Sequence, residues 1–245
     1  MRRFYLENAP VNDMARIGGD EARHIEKVLR LGSGDGLELF DASGCVYLAA
    51  IESLGRGKVV ARICSRGPGV AETGAQIVLC QAVVKSQKMD LIIEKCTELG
   101  ATAFQPFFAQ RSVPRWDADR AARRVQHWQA VARAALKQSG ARRLPCVAPV
   151  VGFSAMLAQP FADCCRVMLW EGERAAGLRE VLAGASGRGI AFLVGPEGGF
   201  TDDEVDQARQ RGFQVAGLGE RILRAETAAI TVTALAACAF GVIGG

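Results

Sequence analysis

Leu193-Val-Gly-Pro-Glu-Gly-Gly-Phe-Thr201 and Leu218-Gly-Glu-Arg-Ile-Leu-Arg-Ala-Glu-Thr-Ala228 decide how this chain is read. Each is a glycine-rich turn behind a short apolar stretch, and each runs straight into a helical pattern. In an open α/β sheet, ligands bind outside the carboxyl ends of the strands, where such loops converge. Two loops this close in sequence point to one shared pocket. Glycine lets a ligand lie against the backbone, and Thr201-Asp-Asp-Glu204 reads as a capping box that opens the next helix. Glu197, between proline and glycine, turns a carboxylate toward whatever the first loop holds. In the second loop, Ile222 and Leu223 are apolar residues in polar company, suited to an adenine-sized slot. Arg221 and Arg224 bracket them, either as ligand contacts or as surface ion pairs with Glu220 or Glu226.

The surrounding rhythm is strand–helix alternation. Strands are predicted at 76–84, 103–108, 167–170, 190–194 and 213–217, and helices at 89–99, 118–138, 201–210 and 226–240. That pattern is α/β, a mainly parallel sheet covered on both faces. The last helix is rich in Ala and Thr, as a dimer seam or a threaded chain requires. Ahead of this region, Asp20 is placed to cap a helix reaching Arg30. Short strands at 37–41, 45–51 and 58–64 then suggest a small β-barrel. Ser65 to Gly74 has linker composition, which divides the chain into 1–72 and 73–245.

Composition fits a globular protein with a substantial core: 245 residues, 49% hydrophobic and 23% charged. No apolar run reaches the ~18 residues of a membrane span. The start, Met-Arg-Arg-Phe-Tyr-Leu-Glu-Asn, has no signal region, so a cytoplasmic protein is expected. The eight cysteines form no C-x-x-C pair and read as buried, reduced thiols rather than a zinc site. His24 and His127 are the only histidines and lack metal-spaced partners, so no metal is expected. Neither a Walker A nor a G-x-G-x-x-G fingerprint is present.

The net charge of +4 is unevenly spread. Residues 76–150 carry 12 basic and 5 acidic side chains, while 1–75 are neutral and 151–245 are net −3. A basic middle suits a polyanion, and equally an ordinary solvated face. Arginines recur there with aromatics, in Arg111-Ser-Val-Pro-Arg-Trp116, Arg120, Arg123-Arg124 and His127-Trp128, as in proteins that hold flexible RNA by charge and stacking. On the predicted 89–99 helix, Lys88, Asp90, Glu94, Lys95 and Glu98 form the polar face, and Lys95 and Glu98 are spaced to pair.

With those residues in view, the chain resembles the RsmE family, bacterial methyltransferases that modify N3 of a uridine in 16S ribosomal RNA of the small subunit. The likeness runs nearly end to end: Arg3-Phe4 and His24 to Arg30, Lys95-Cys-Thr-Glu-Leu-Gly100, Arg111-Ser-Val113, Gln138-Ser-Gly140, and the two glycine-rich loops. It departs at Lys137, where the family often has an acidic residue, and at the extra Ala141 before Arg142.

The resemblance implies a PUA-like RNA-binding domain followed by a SPOUT methyltransferase domain whose C-terminal chain makes a deep trefoil knot. It also implies S-adenosylmethionine as cofactor, a homodimer, and the assembled 30S subunit as the preferred form of substrate. Carried onto this chain, cofactor contacts fall on Leu169, Gly195, Pro196, Glu197, Gly198, Leu218, Gly219, Ile222, Leu223, Arg224 and Thr227. RNA contacts fall on Arg3, His24, Arg30, Lys88, Arg111, Arg115, Arg123, Arg124, Gln138 and Arg142.

N3 of uracil must lose its imide proton before it can accept a methyl group, so a base or a charge-stabilising cation is needed. The motif positions nominate Arg224 as the cation and Glu197 or Glu226 as acid–base groups, with Glu98 and Lys95 in support. Three alternatives stay open. One is a SPOUT enzyme acting on ribose 2′-O or on tRNA, another a non-catalytic rRNA-binding assembly factor. The third is a nucleotide-binding metabolic enzyme without RNA affinity.

Overall fold

The computed structural model describes residues 2–41, 44–67, 75–113, 115–139, 141, 143–173, 177–185 and 189–244. The chain divides into two units: Met1–Glu72 with Leu136–Leu144, and Thr73–Ala135 with Pro145–Gly245.

The first unit is a five-stranded sheet ordered β1-β3-β4-β5-β2, from β1 (Arg2–Tyr5), β2 (Met14–Ile17), β3 (Gly36–Phe40), β4 (Val46–Gly55) and β5 (Lys58–Arg66). β1 and β3 run parallel and the other pairs antiparallel. The β4–β5 hairpin turns through Arg56 (φ 53) and Gly57 (φ 70), the paired left-handed geometry whose twist matches the flanking strands. Phe4, Ile17, Ile25, Leu37, Leu39, Ile51 and Val59 alternate inward to build its core. Tyr47 donates its buried hydroxyl to Asp41 Oδ2 at 2.7 Å; burial first, then that carboxylate, raises the phenol pKa.

Several local expectations change here. The helix α1 (Gly19–Arg23) is capped by Gly18 without a side-chain bond, while Asp20 sits inside the first turn and pairs with Arg23 at 3.3 Å. The next turn, His24–Val28, widens, with Leu29 N–H reaching back to the His24 carbonyl, and stops at Arg30 in the left-handed region (φ 52). β1 and β2 went unpredicted because four-residue strands carrying arginine give almost no period-two signal. Ser65 and Arg66 belong to β5, not to the linker, and residues 68–74 of that segment lie outside the described residues.

The second unit is a wholly parallel seven-stranded sheet. β6 (Ile77–Ala82), β7 (Ala103–Phe108), β8 (Cys146–Val147), β9 (Val151–Gly152), β10 (Cys164–Leu169), β11 (Gly189–Val194) and β12 (Gln214–Ala216) are ordered β12-β10-β11-β6-β7-β8, with β9 also on β7. β11, Gly-Ile-Ala-Phe-Leu-Val, is buried at every position, as a central parallel strand covered on both faces must be. The helices are α2 (Ser86–Glu98), α3 (Ala118–Ser139), α4 (Phe153–Leu157), α5 (Leu178–Gly184), α6 (Asp202–Gln210) and α7 (Ala225–Ala239). α7 buries Ala228, Ala229, Val232, Thr233, Ala236 and Ala237. Such small side chains let its backbone approach α2, β6 and β11 closely.

The cysteines also depart from expectation. Only Cys80 and Cys96 are buried, whereas Cys64, Cys146 and Cys238 are exposed. Among the described residues, no helix is long and apolar enough to cross a membrane.

Candidate active site

Three strand ends assemble the site. Val194 pairs in register with Gln81, so β11 and β6 end together. The fully buried Gln81 amide donates to the carbonyls of Ala82 (2.9 Å) and Gly195 (3.2 Å), which fixes where the first loop leaves the sheet. Gly199 N–H closes the turn on the Pro196 carbonyl at 3.0 Å, with Gly199 at φ +69, a conformation that favours glycine. Thr201 then caps α6 through the capping box: Glu204 N–H donates to Thr201 Oγ1 (3.3 Å) and Thr201 N–H to Glu204 Oε2 (3.0 Å). Such a cap contributes about 1 kcal/mol. The other Glu204 oxygen accepts from Gln110 N–H at 2.8 Å, so the buried carboxylate is satisfied by two loops.

The second loop leaves β12 at Gly217, which forms an isolated parallel bridge with Gly177. A side chain at Gly217 would collide with the Glu173 carbonyl, so glycine is required by the packing. Gly219 takes φ +94, Ile222 stands 85% exposed, and Arg224 is the N-cap of α7 in extended conformation.

Between the loops lies a cavity of about 730 Å³, within the range of small-molecule sites. Of the predicted cofactor residues, Leu169, Gly195, Pro196, Glu197, Leu218, Gly219, Ile222, Leu223 and Arg224 line it. Gly198 and Thr227 lie outside its walls. Trp170, Glu171, Glu173, Gly177 and Gly217 line it too and were missed. The rule of strand carboxyl ends held the signal for Trp170 and Glu171, which directly follow β10. Gly177 and Gly217 gave none, because their bridge joins segments far apart in sequence.

Lys88, read as an RNA contact, lies in the cavity wall, with Nζ 3.4 Å from Glu197 Oε1 and 3.3 Å from Glu226 Oε2. Glu226 Oε2 is buried and forms this ion pair without hydrogen-bond alignment. Arg221 and Arg224 are exposed, and among the described residues neither has an ion-pair partner. The surface pairing with Glu220 or Glu226 is therefore not formed. Lys95 and Glu98 do not line the cavity; Glu94 at 2.7 Å and Glu98 at 2.9 Å hold the Lys95 ammonium above the usual lysine range. That makes Lys95 a poor base.

The other predicted RNA contacts fall into two groups. Exposed and open to a ligand are His24, Arg30, Arg123 and Gln138. Arg3, Arg111, Arg115 and Arg124 make contacts within the protein, Arg111 and Arg115 while remaining exposed. Arg3 pairs with Glu38 at 3.2 Å and covers the Phe40 ring at 4.5 Å. Arg111 donates to the Gly198 carbonyl at 2.9 Å, and Arg115 to those of Ala109 and Gln110. Arg124 lies 5.8 Å over Trp116. Arg142 lies outside the described residues. Of the aromatics interleaved with these arginines, Trp128 is fully buried, and Trp116, half-buried, packs between it and Phe108, 5.8 Å from each. Trp128 therefore offers no face to a base. Among the described residues, no cluster of His, Cys, Asp and Glu is placed to hold a metal ion.

The cavity suits S-adenosylmethionine on its own terms. Apolar Leu169, Ile222 and Leu223 supply a slot for a flat ring, and the glycine backbones supply polar groups at close range. Carboxylates of Glu171 and Glu197 suit a cationic ligand.

Comparison with known proteins gives an independent line. A family model described as an RNA methyltransferase domain matches residues 71–237, and one described as an RNA methyltransferase PUA domain matches 17–64. The ribosomal RNA small subunit methyltransferase E of Mycobacterium bovis is 34% identical, covering 98% of this chain and 90% of its own. That of Bacillus subtilis is 32% identical, covering 93% of each. The crystal structure of the corresponding protein from Neisseria gonorrhoeae, bound to S-adenosyl methionine, aligns with a TM-score of 0.84 at 34% identity over 96% of both chains.

Proposed function

The chain belongs to the ribosomal RNA small subunit methyltransferase E family, and we propose that it methylates N3 of a uridine in 16S ribosomal RNA from S-adenosylmethionine held in the cavity. The carrying observation is the cavity itself, formed by both glycine-rich loops with Arg224 and Glu197 in its wall.

When bound, the cofactor supplies an electrophilic methyl group on a sulfonium. The protein's part is to make N3 nucleophilic. Loss of the imide proton spreads negative charge over O2 and O4, and Arg224, exposed at the cavity mouth, offers a guanidinium to stabilise it. Glu197, in the wall, receives the proton directly or through water, and Glu226, outside the wall, is the second candidate only because it shares Lys88 with Glu197. Lys95 and Glu98, away from the cavity, take no part in this reading.

RNA recognition is assigned to residues 1–72, with His24 and Arg30 exposed there, and to Arg123 on α3 of the catalytic unit, residues 73–245. A homodimer is supported by the exposed apolar side chains Leu91, Leu235, Val242 and Ile243. The trefoil knot, a cytoplasmic location and a preference for the assembled 30S subunit belong to the same proposal and rest on family likeness.

The test is incubation with labelled S-adenosylmethionine and small subunits lacking the modification, then digestion to nucleosides. Label in 3-methyluridine is the expected result. Label in a ribose-methylated nucleoside overturns the specificity, and a protein that binds no cofactor overturns the reading.

A further inference from the structure

We infer that Lys88 is a positioning residue that braces the two cavity loops against each other, rather than a phosphate contact. Its Nζ meets Glu197 in the first loop and Glu226 in the first turn of α7, at 3.4 and 3.3 Å. Glu197 Oε1 is also 3.5 Å from the Lys85 backbone N–H, so the start of α2 holds that carboxylate through two groups. Three segments remote in sequence therefore converge on one ammonium.

The charge balance argues against an RNA role. Lys88 is 30% exposed, and the carboxylates beside it repel a phosphate that approaches its remaining surface. Without Lys88, Glu197 and Glu226 lose the cation they share, with Glu226 only 13% exposed. Like charges confined together push their loops apart, and both loops carry residues of the cavity wall. The brace acts through geometry, so it should matter equally for the cationic cofactor and for its neutral demethylated product. That expectation rests on the cavity being the cofactor site.

The experiment compares wild type, Lys88→Met, Lys88→Arg, Glu226→Gln and the Lys88→Met/Glu226→Gln double variant. Calorimetry measures affinity for S-adenosylmethionine and S-adenosylhomocysteine, and RNA binding is followed against salt. Lys88→Met is expected to weaken both small ligands by a similar factor, about tenfold, with the RNA salt slope unchanged. Lys88→Arg should recover most of the loss. Unchanged cofactor affinity with a salt slope reduced by about 0.7 would mean a phosphate contact and overturn the brace. Selective weakening of one ligand would mean a charge effect and overturn it too. Melting of the ligand-free variants separates this inference from the cofactor reading. Glu226→Gln should restore part of the stability that Lys88→Met loses, even if the protein binds neither ligand, and strict additivity would count against the brace.

Discussion

Arg111 lies flat against Gly198: its Nη1 donates to the Gly198 carbonyl at 2.9 Å, and a Cβ on that glycine would stand 3.2 Å from Arg111 Cβ. The same Nη1 is 3.4 Å from the Phe200 carbonyl, so one guanidinium clips both ends of the turn that follows Glu197. A charged donor to a carbonyl is worth about 1.5–3 kcal/mol at most, and exposure brings this one to the lower end. Arg111→Ala is expected to raise the cofactor dissociation constant several-fold, read by calorimetry. A loss confined to RNA affinity would show that the side chain serves phosphate instead.

Gly217→Ala tests the second loop. The new methyl would meet the Glu173 carbonyl oxygen, which is backbone and cannot swing aside. Overpacking of this kind costs about 1–3 kcal/mol, and each kcal/mol lowers the melting temperature of a chain this size by roughly 2–4 °C. Cofactor affinity should fall with it, since the displaced backbone lines the cavity. A variant with wild-type melting and wild-type affinity would remove the steric argument.

How much of this was legible follows the range of each interaction. The Thr201–Glu204 capping box was readable because its partners are neighbours in sequence, and β11 because a strand buried on both faces reads as an unbroken apolar run. The cavity loops were readable because glycine and a strand end mark such sites in any α/β sheet. The intramolecular partners of Lys88 and Arg111, read from sequence as RNA contacts, were not legible because charge alone does not name an acceptor. Theirs are Glu197, Glu226 and the Gly198 carbonyl, brought in by the sheet order. The burial of Trp128 was hidden for the converse reason, since an aromatic that can stack on a base and one packed in the core look alike in sequence.

The buried thiols predict an alkaline limit to stability. Burial pushes Cys96 from the ordinary 9.0 up to about 12, against a smaller opposite pull from Thr233, and Cys80 shifts in the same direction. A folded pKa above the unfolded one means the native state holds its proton more tightly. That contribution is complete below pH 9.0 and is lost as pH rises toward 12, at up to about 1.4 kcal/mol per pH unit. Denaturant titrations from about pH 9 to 11 should show a shallower decline for Cys96→Ala than for wild type. Equal slopes would mean the thiol is not protected. Under native conditions a thiol reagent should modify Cys64, Cys146 and Cys238 well before Cys80 and Cys96.

Arg224 separates chemistry from binding. It caps α7 by backbone conformation alone, without a side-chain cap bond, and its exposed guanidinium has no ion-pair partner among the described residues. Arg224→Ala therefore removes little from the fold, and the melting temperature should stay near wild type. If the guanidinium stabilises charge developing on uracil, the variant should lose about 10²–10³-fold in kcat, while cofactor affinity changes only a few-fold. Arg224→Lys keeps the charge but not the planar fork and should fall between the two. A variant with normal kcat and a raised KM for RNA would reassign Arg224 to substrate binding, and the charge developing on uracil would then need another cation from the cavity wall, with Arg221 the remaining exposed candidate.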